Sequence, residues 1–408
     1  MMKLSILSNG LRVASRDMPG LETAAIGLFA DTGSRNETAR VNGLAHLYEH
    51  MVFKGAGGRS AREISETIED VGGDLNASTD REGTSFTASV MAEHLPLGLE
   101  LISDMILRPH FDGAELEREK DVVLQELGEA RDTPSDIIFD DLQAAAFPGQ
   151  ALGRSVLGDE DSIAAITTDD LHAWRTEQYR AGSLALVAAG KVDHDRLVEL
   201  AEQRLGALPA GRIAEAEPAH FGGGNRVGRS MGDQAHLALG FGGPSALDTN
   251  YLAARLFSDV IGGGMSSRLF QEVREERGLA YSVYSWFAPW RDAGLMAVYA
   301  ATARRQSGSA AQLIGDVIAG AAADASQREV DRVRTQAKAG LLMSLESSWG
   351  QAQYLARQLS LHGRLVDPSE VVAELEAVTV DQVRAAGAAM LEGPRARATI
   401  GFPAVRAA

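Results

Sequence analysis

Ala45-His46-Leu47-Tyr48-Glu49-His50-Met51 is the stretch on which the reading of this chain turns. In a helix of 3.6 residues per turn, His46 and His50 stand one turn apart on one face. Both imidazoles then reach a common ion, with Glu49 beside them. The spacing H-x-x-E-H is the reverse of the commoner H-E-x-x-H helix motif. Two imidazoles do not complete a zinc site, because catalytic zinc takes three protein ligands and keeps a fourth position for water. The charged helical pattern over Ala114–Ala130 offers the third, since Glu119 and Glu126 are two turns apart and share a face. The pattern alone leaves open which of them ligates and which stands behind the metal or meets a substrate.

Outward from the motif, the chain falls into two similar halves. In the first, the apolar run Ala24-Ala25-Ile26-Gly27-Leu28-Phe29 precedes a helical pattern near Gly43–Phe53, the turn Gly55-Ala56-Gly57-Gly58, a second helix and a strand. In the second, His236-Leu237-Ala238-Leu239-Gly240-Phe241 precedes a helix near Tyr251–Ile261, the turn Gly262-Gly263-Gly264, another helix and Gly278-Leu279-Ala280-Tyr281. Setting Val52 against Val260 offsets the halves by 208 residues, which reads as duplication of one α+β unit. At that offset Ala254 and Ser258 stand opposite His46 and His50, so the second half keeps no metal set. A Pro- and Gly-rich stretch without helical or strand period separates the halves. The expected organisation is a catalytic unit over 1–208, a linker over 209–226 and a homologous unit over 227–408, each an antiparallel-rich sheet covered by helices.

Local signals support that mixture of strand and helix. Ser60 followed by Glu63 is a capping box, Ile64, Ile68 and Val71 form one stripe, and Gly72 is a stop. Thr84–Val90 alternates as a strand, Leu97–Leu107 is a helix entered through Pro96, and the charged helix ends before Pro134. Thr167 with Asp170 starts another helix, and Leu184–Ala189 is an apolar strand.

The chain has 408 residues, 45% hydrophobic and 23% charged, a composition that excludes disorder and provides for two to four packed domains. Its 39 basic against 56 acidic residues give a net charge of −17, which disfavours nucleic acid and anionic membranes as partners and favours basic peptides. With no cysteine, disulfides, thiol nucleophiles and cysteine-held metals are excluded, so any transition metal rests on His, Asp or Glu. The first residues show no apolar core of signal-peptide length and no run of 18 apolar residues occurs, so a soluble, cytoplasmic protein is expected. The G-x-S-x-G match over Gly228–Gly232, with His236 nearby, is set aside because a nucleophile elbow needs a strand before the serine and a helix after it. Here a linker precedes and a strand follows.

Leu7-Ser8-Asn9-Gly10-Leu11-Arg12-Val13, Gly33-Ser34-Arg35-Asn36-Glu37, the His46–His50 motif, Val122-Val123-Leu124-Gln125-Glu126-Leu127 and Gly262–Tyr281 resemble, over nearly the whole chain, the pitrilysin/insulinase-type zinc metallopeptidases. The resemblance is to the branch of mitochondrial processing peptidase and its bacterial relatives. It implies a processing-peptidase-like fold and one Zn2+ per chain on His46, His50 and Glu126, which follows His50 by 76 residues as the family's third ligand does. Glu119 then matches a supporting acid close to the substrate. Glu49 becomes the general base that takes a proton from a zinc-activated water and passes it to the leaving amine.

The same resemblance makes Arg274 and Tyr281 the pair that contacts the substrate backbone and the developing oxyanion. Taken alone they read as a surface helix residue and a packed strand aromatic. Leu75-Asn76-Ala77-Ser78-Thr79 resembles the edge strand onto which an extended peptide adds, naming Asn76 and Ala77 as substrate contacts. On its own that segment reads as a turn entering the next strand. The implied activity is endopeptidase action on short or unfolded peptides; the rival is a noncatalytic assembly subunit on the same fold, as in the core subunits of respiratory cytochrome reductase. Larger members of the family join two such double units in one chain. The single pair here implies a homodimer, with zinc ligands from one copy facing Arg274 and Tyr281 of the other, or a heterodimer with a related chain.

Overall fold

A computed structural model describes residues 1–229 and 232–402, which fall into two compact units. Ser230 and Met231, in the middle of the G-x-S-x-G match, lie outside the described residues.

The first unit comprises Met1–Leu127, Ser155–Glu217 and Leu341–Asp367. Its strands are β1 (Met2–Ile6), β2 (Arg12–Asp17), β3 (Thr23–Ala30), a two-stranded ribbon of β4 (Gly55–Ala56) and β5 (Arg59–Ser60), β6 (Asp74–Thr79), β7 (Thr84–Met91) and β8 (Leu184–Gly190). The main sheet runs β1-β2-β8-β3-β7-β6, every neighbour antiparallel except the parallel pair β2 and β8. Its helices include α1 (Leu44–Val52), α2 (Ala61–Glu69), α3 (Leu95–Leu107) and α4 (Gly113–Asp132). Side chains of β3 alternate between the two faces of the sheet. Ile26 and Leu28 are sealed in the core with Leu99 and Ile102 of α3, whereas the Phe29 ring lies 6.4 Å from that of Trp349 in the helix Ser348–His362. The expected capping box opens α2: Ser60 Oγ accepts from the Glu63 amide and the Glu63 carboxylate accepts from the Ser60 amide.

The second unit comprises Gly128–Arg154, Pro218–Gly340 and Pro368–Ala408. Its sheet of β9 (Gly224–Gly228), β10 (Gln234–Gly243), β11 (Ala280–Pro289), β12 (Gly294–Ala303) and β13 (Arg395–Ile400) runs β11-β12-β10-β13-β9, antiparallel except for β13 with β9. That order repeats β6-β7-β3-β8-β2 of the first unit, strand for strand and sense for sense. The duplication read from the 208-residue offset is thus present in the topology. Ala254 and Ser258, opposite His46 and His50, are fully buried in the helix Tyr251–Gly262.

The units are not the contiguous halves 1–208 and 227–408. Helix α5 (Pro134–Ala146) belongs to the second unit, where Ile138 and Leu142 pack with Ala396 and Ala398 against β9, β10 and β13. The helix Ser348–His362, from the second half, covers the equivalent strands β2, β3 and β8 of the first unit. Each half therefore lends one helix to the other's sheet. The charged helix α4 ends before Pro134 as expected, and Pro134 opens α5, where its missing N–H belongs to a turn that has no intrahelical acceptor. The expected linker is divided as well. Pro209 to Glu217 is tied to the first unit by the Ala181 amide on Pro209 O, the Gly182 amide on Gly211 O and Arg35 on Glu217 O, while β9 starts inside the remainder. Among the described residues no helix is long and apolar enough to cross a membrane.

Candidate metal centre

Helix α1 is two-faced, as its period predicts. Leu44, Leu47, Tyr48 and Met51 are buried, and His46, Glu49 and His50 lie half-buried on the other face. The Tyr48 ring stacks on Tyr179 at 4.9 Å and meets Phe111 edge-on at 5.4 Å, which fixes the rotation of the helix about its axis. At the N-terminus Gly43 has φ +93°, and a Cβ there would meet Leu157 O at 2.8 Å, so only glycine fits. The buried Glu37 carboxylate accepts from the amides of Gly43 at 2.9 Å and Ala45 at 2.7 Å and from Asn42 Nδ2 at 2.8 Å. A negative charge there complements the helix dipole and satisfies otherwise orphaned amides.

Helix α4 brings the carboxylates. His46 Nε2 and His50 Nε2 each lie 3.8 Å from Glu126 Oε2, and the three ligand atoms fall within 4.8 Å of one another. At 3.8 Å none of these contacts is a hydrogen bond. Donors of a tetrahedral zinc site, at about 2.0–2.1 Å from the ion, are about 3.3 Å apart, so a small closure fits the set to such an ion. Burial, with a smaller effect of His50, holds the His46 imidazole down to about 4, so at neutral pH its ring is uncharged and can ligate. Its Nδ1 is buried without a hydrogen-bond partner among the described residues, so packing alone orients this ring.

His50 is held differently. Its Nδ1 donates to Glu119 Oε2 at 3.1 Å, and Lys54 Nζ donates to Glu119 Oε1 at 2.7 Å. With the proton on Nδ1, the Nε2 lone pair is directed at Glu126. The geometry thereby separates the two acids that helical spacing left equivalent: Glu126 joins the converging donors and Glu119 supports His50 from behind.

Glu49 points beside the cluster without joining it. Its Oε2 accepts a hydrogen bond from Thr79 Oγ1 at the end of β6. Burial pushes the Glu49 carboxyl above its ordinary range, while the Thr79 hydroxyl and His50 work in the other direction. Asn76 and Ala77 lie on β6, an edge strand of the sheet and not a turn, with the Ala77 amide donating to Asn76 Oδ1.

Arg274 and Tyr281 belong to the second unit and pair with each other. The Arg274 guanidinium carbon lies 4.9 Å from the Tyr281 ring centroid and 4.6 Å from that of Phe270. Both residues sit on irregular backbone. Arg274 is in a π-helical segment, Phe270–Glu276, and Tyr281 occupies a bulge where β11 slips its register against β12. Tyr281 is 77% exposed, so it is not the packed strand aromatic that the residue suggests in isolation.

Three residues of the site escape sequence reasoning: Glu37, which caps α1; Lys54, which holds Glu119; and Thr79, which holds Glu49. Glu37 and Thr79 lie inside segments singled out for other reasons, and Lys54 follows His50 by four residues.

Comparison with known proteins identifies the family of the chain. Residues 12–160 match the family described as Insulinase (Peptidase family M16), and residues 165–337 match the pattern described as Peptidase M16 inactive domain. The chain is 34% identical over 385 residues to YmxG of Bacillus subtilis, described as an uncharacterized zinc protease, with 94% of each chain covered. It is 32% identical over 406 residues to the beta subunit of mitochondrial-processing peptidase from Lentinula edodes, covering 94% of this chain and 86% of that one. Among solved structures, a peptidase M16 inactive domain from Pseudomonas fluorescens superposes with a TM-score of 0.92 at 23% identity, covering 99% and 98% of the two chains, which speaks for the fold. Duplicated topology, converging donors and similarity along almost the full length lead to one conclusion: the chain belongs to the insulinase family of peptidases, M16.

Proposed function

We propose that this chain is a zinc-dependent endopeptidase acting on short or unfolded peptides. The observation that carries the reading is the convergence of His46 Nε2, His50 Nε2 and Glu126 Oε2, unbonded to one another, beside a half-buried Glu49. The description of relatives as zinc proteases agrees with it. His46, His50 and Glu126 would hold one zinc ion per chain, which would supply Lewis acidity toward water and a peptide carbonyl.

Glu49 takes a proton from the attacking water and returns it to the leaving amine. Burial raises the Glu49 carboxyl, which strengthens it as a base, and Thr79 occupies Oε2 so that Oε1 is left for the transfer. An extended peptide adds to the edge of β6 past Asn76 and Ala77. Arg274 and Tyr281 offer a cation and a phenolic donor to the carbonyl oxygen as charge builds on it. These two come from a second copy, so that the working assembly is a homodimer, with a heterodimer of related chains as the alternative. The net charge of −17 favours basic peptides over acidic ones.

The test is zinc analysis of the purified protein together with mass spectrometry of products from quenched peptides. Stoichiometric zinc with internal cleavage supports the reading. A folded protein that binds no zinc and cleaves nothing fits the assembly-subunit alternative.

A further inference from the structure

We infer that Lys54 is a positioning residue of the metal centre: through Glu119 it fixes the tautomer and direction of His50. The inference rests on the zinc reading above and deepens it. Lys54 lies just beyond the last turn of α1, where its amide donates to Met51 O at 3.2 Å. The next residue, Gly55, has φ +137°, and a Cβ on it would meet His110 Nδ1 at 2.4 Å. The backbone is thus pinned on both sides of Lys54, and the ammonium group is delivered to a fixed place.

That place is one oxygen of Glu119. The residue is only 5% exposed, and its two oxygens are divided between Lys54 and His50. A buried carboxylate with a single neutral partner is free to rotate and costly to leave in place, whereas a cation on its other oxygen holds it. The bridge Lys54 to Glu119 to His50 ends on the ring whose far nitrogen faces Glu126. His46, whose Nδ1 has no partner among the described residues, lacks an equivalent device. The restraint on the donor set therefore enters through His50, and Lys54 is its origin. Lys54 bonds the Glu119 oxygen that His50 does not use, and it is not one of the three converging donors.

The experiment compares zinc dissociation constants, by chelator competition, for the wild type, Lys54→Met and Lys54→Arg. It adds 15N NMR of the His50 ring in the zinc-free proteins and thermal melting as a check on folding. The expected result is a roughly 10- to 100-fold weaker zinc affinity for Lys54→Met, loss of the single Nδ1–H tautomer at His50, and substantial recovery of both in Lys54→Arg. If Lys54→Met binds zinc as tightly as the wild type with the His50 tautomer unchanged, Lys54 is a surface ion pair only and the inference falls while the zinc reading stands. If the wild type itself binds no zinc, both fall together. Should Lys54→Met fail to fold, Lys54→Gln, which keeps a donor at shorter reach, is measured in its place with the same two outcomes.

Discussion

His50 Nδ1 and Glu119 Oε2 are joined by a 3.1 Å hydrogen bond, and the other nitrogen of the same ring faces Glu126, seven residues further along the same helix. One helix therefore presents a carboxylate to each side of one imidazole. The two acids have different tasks because one ring nitrogen can carry the proton while the other keeps its lone pair. Exchanging the tasks would require the ring to turn over, which the Lys54 bond to Glu119 opposes.

Glu126 and Glu119 should therefore respond differently to the same change. Glu126→Gln is expected to abolish stoichiometric zinc binding, and Glu119→Gln to leave it about 10- to 100-fold weaker. Equilibrium dialysis against zinc checks both; equal losses would mean that the assignment of ligand and support is wrong.

Glu49→Gln is expected to retain zinc at wild-type stoichiometry and to lower peptide hydrolysis by at least about 100-fold, the usual loss with a general base. Zinc analysis and a quenched-peptide assay on the same sample decide it. Normal turnover in this variant removes Glu49 from the mechanism.

The two-copy site is tested by complementation. Glu49→Gln and Arg274→Ala are each expected to be inactive, yet co-refolded mixtures should recover activity. In a hybrid dimer one site combines the intact zinc half of the Arg274→Ala chain with the intact Arg274 of the Glu49→Gln chain. Mixtures as inactive as their components would show that no site is shared.

Glu37→Ala is expected to destabilise the first unit by about 1–2 kcal/mol through loss of the cap on α1. A fall in melting temperature of about 2–4 °C per kcal/mol follows for a body of this size. Glu37→Gln should recover part of it, since the amide oxygen still accepts. An unchanged melting curve for Glu37→Ala would deny the cap any energetic role.

In the second unit the Glu329 carboxyl is held down to about 2, first by its hydrogen bonds to Arg268, at 2.6 and 2.9 Å, and also by Ser326. A carboxyl lower in the folded than in the unfolded chain stabilises the fold at pH above its unfolded value, about 4.3. That contribution fades as pH falls from there through about 2. The penalty of Glu329→Gln in urea unfolding should thus be full at pH 7 and shrink steadily below pH 4.5. A penalty independent of pH would falsify the linkage.

His46, Glu49 and His50 were legible because a helical period and three residue types suffice to place them on one face. Choosing Glu126 over Glu119 required the family resemblance, since both lie on the same stripe of α4; the structure separates them through the two nitrogens of His50. Thr79 and Lys54 were not legible, because each acts on a partner far along the chain, and a threonine or lysine carries no period of its own. Asn76 and Ala77 were ambiguous between turn and strand until β7 supplied the partner that makes β6 an edge. The sequence suggests contiguous units because an apolar stripe on a helix says that a face is buried without saying against which sheet. Ile138 and Leu142 of α5 are such a stripe.

The exchange of α5 for the helix Ser348–His362 bears on the order in which the protein can mature. A ribosome that has released the first 217 residues has delivered every strand of the first sheet, but not the helix that seals the side carrying Phe29. That side stays open to chaperones and proteases until residue 362 has emerged, late in synthesis. Arrested nascent chains ending at residue 340 should accordingly be digested within the first sheet, and chains ending at residue 400 should resist. Resistance in the shorter chains would show that the sheet closes without its borrowed helix.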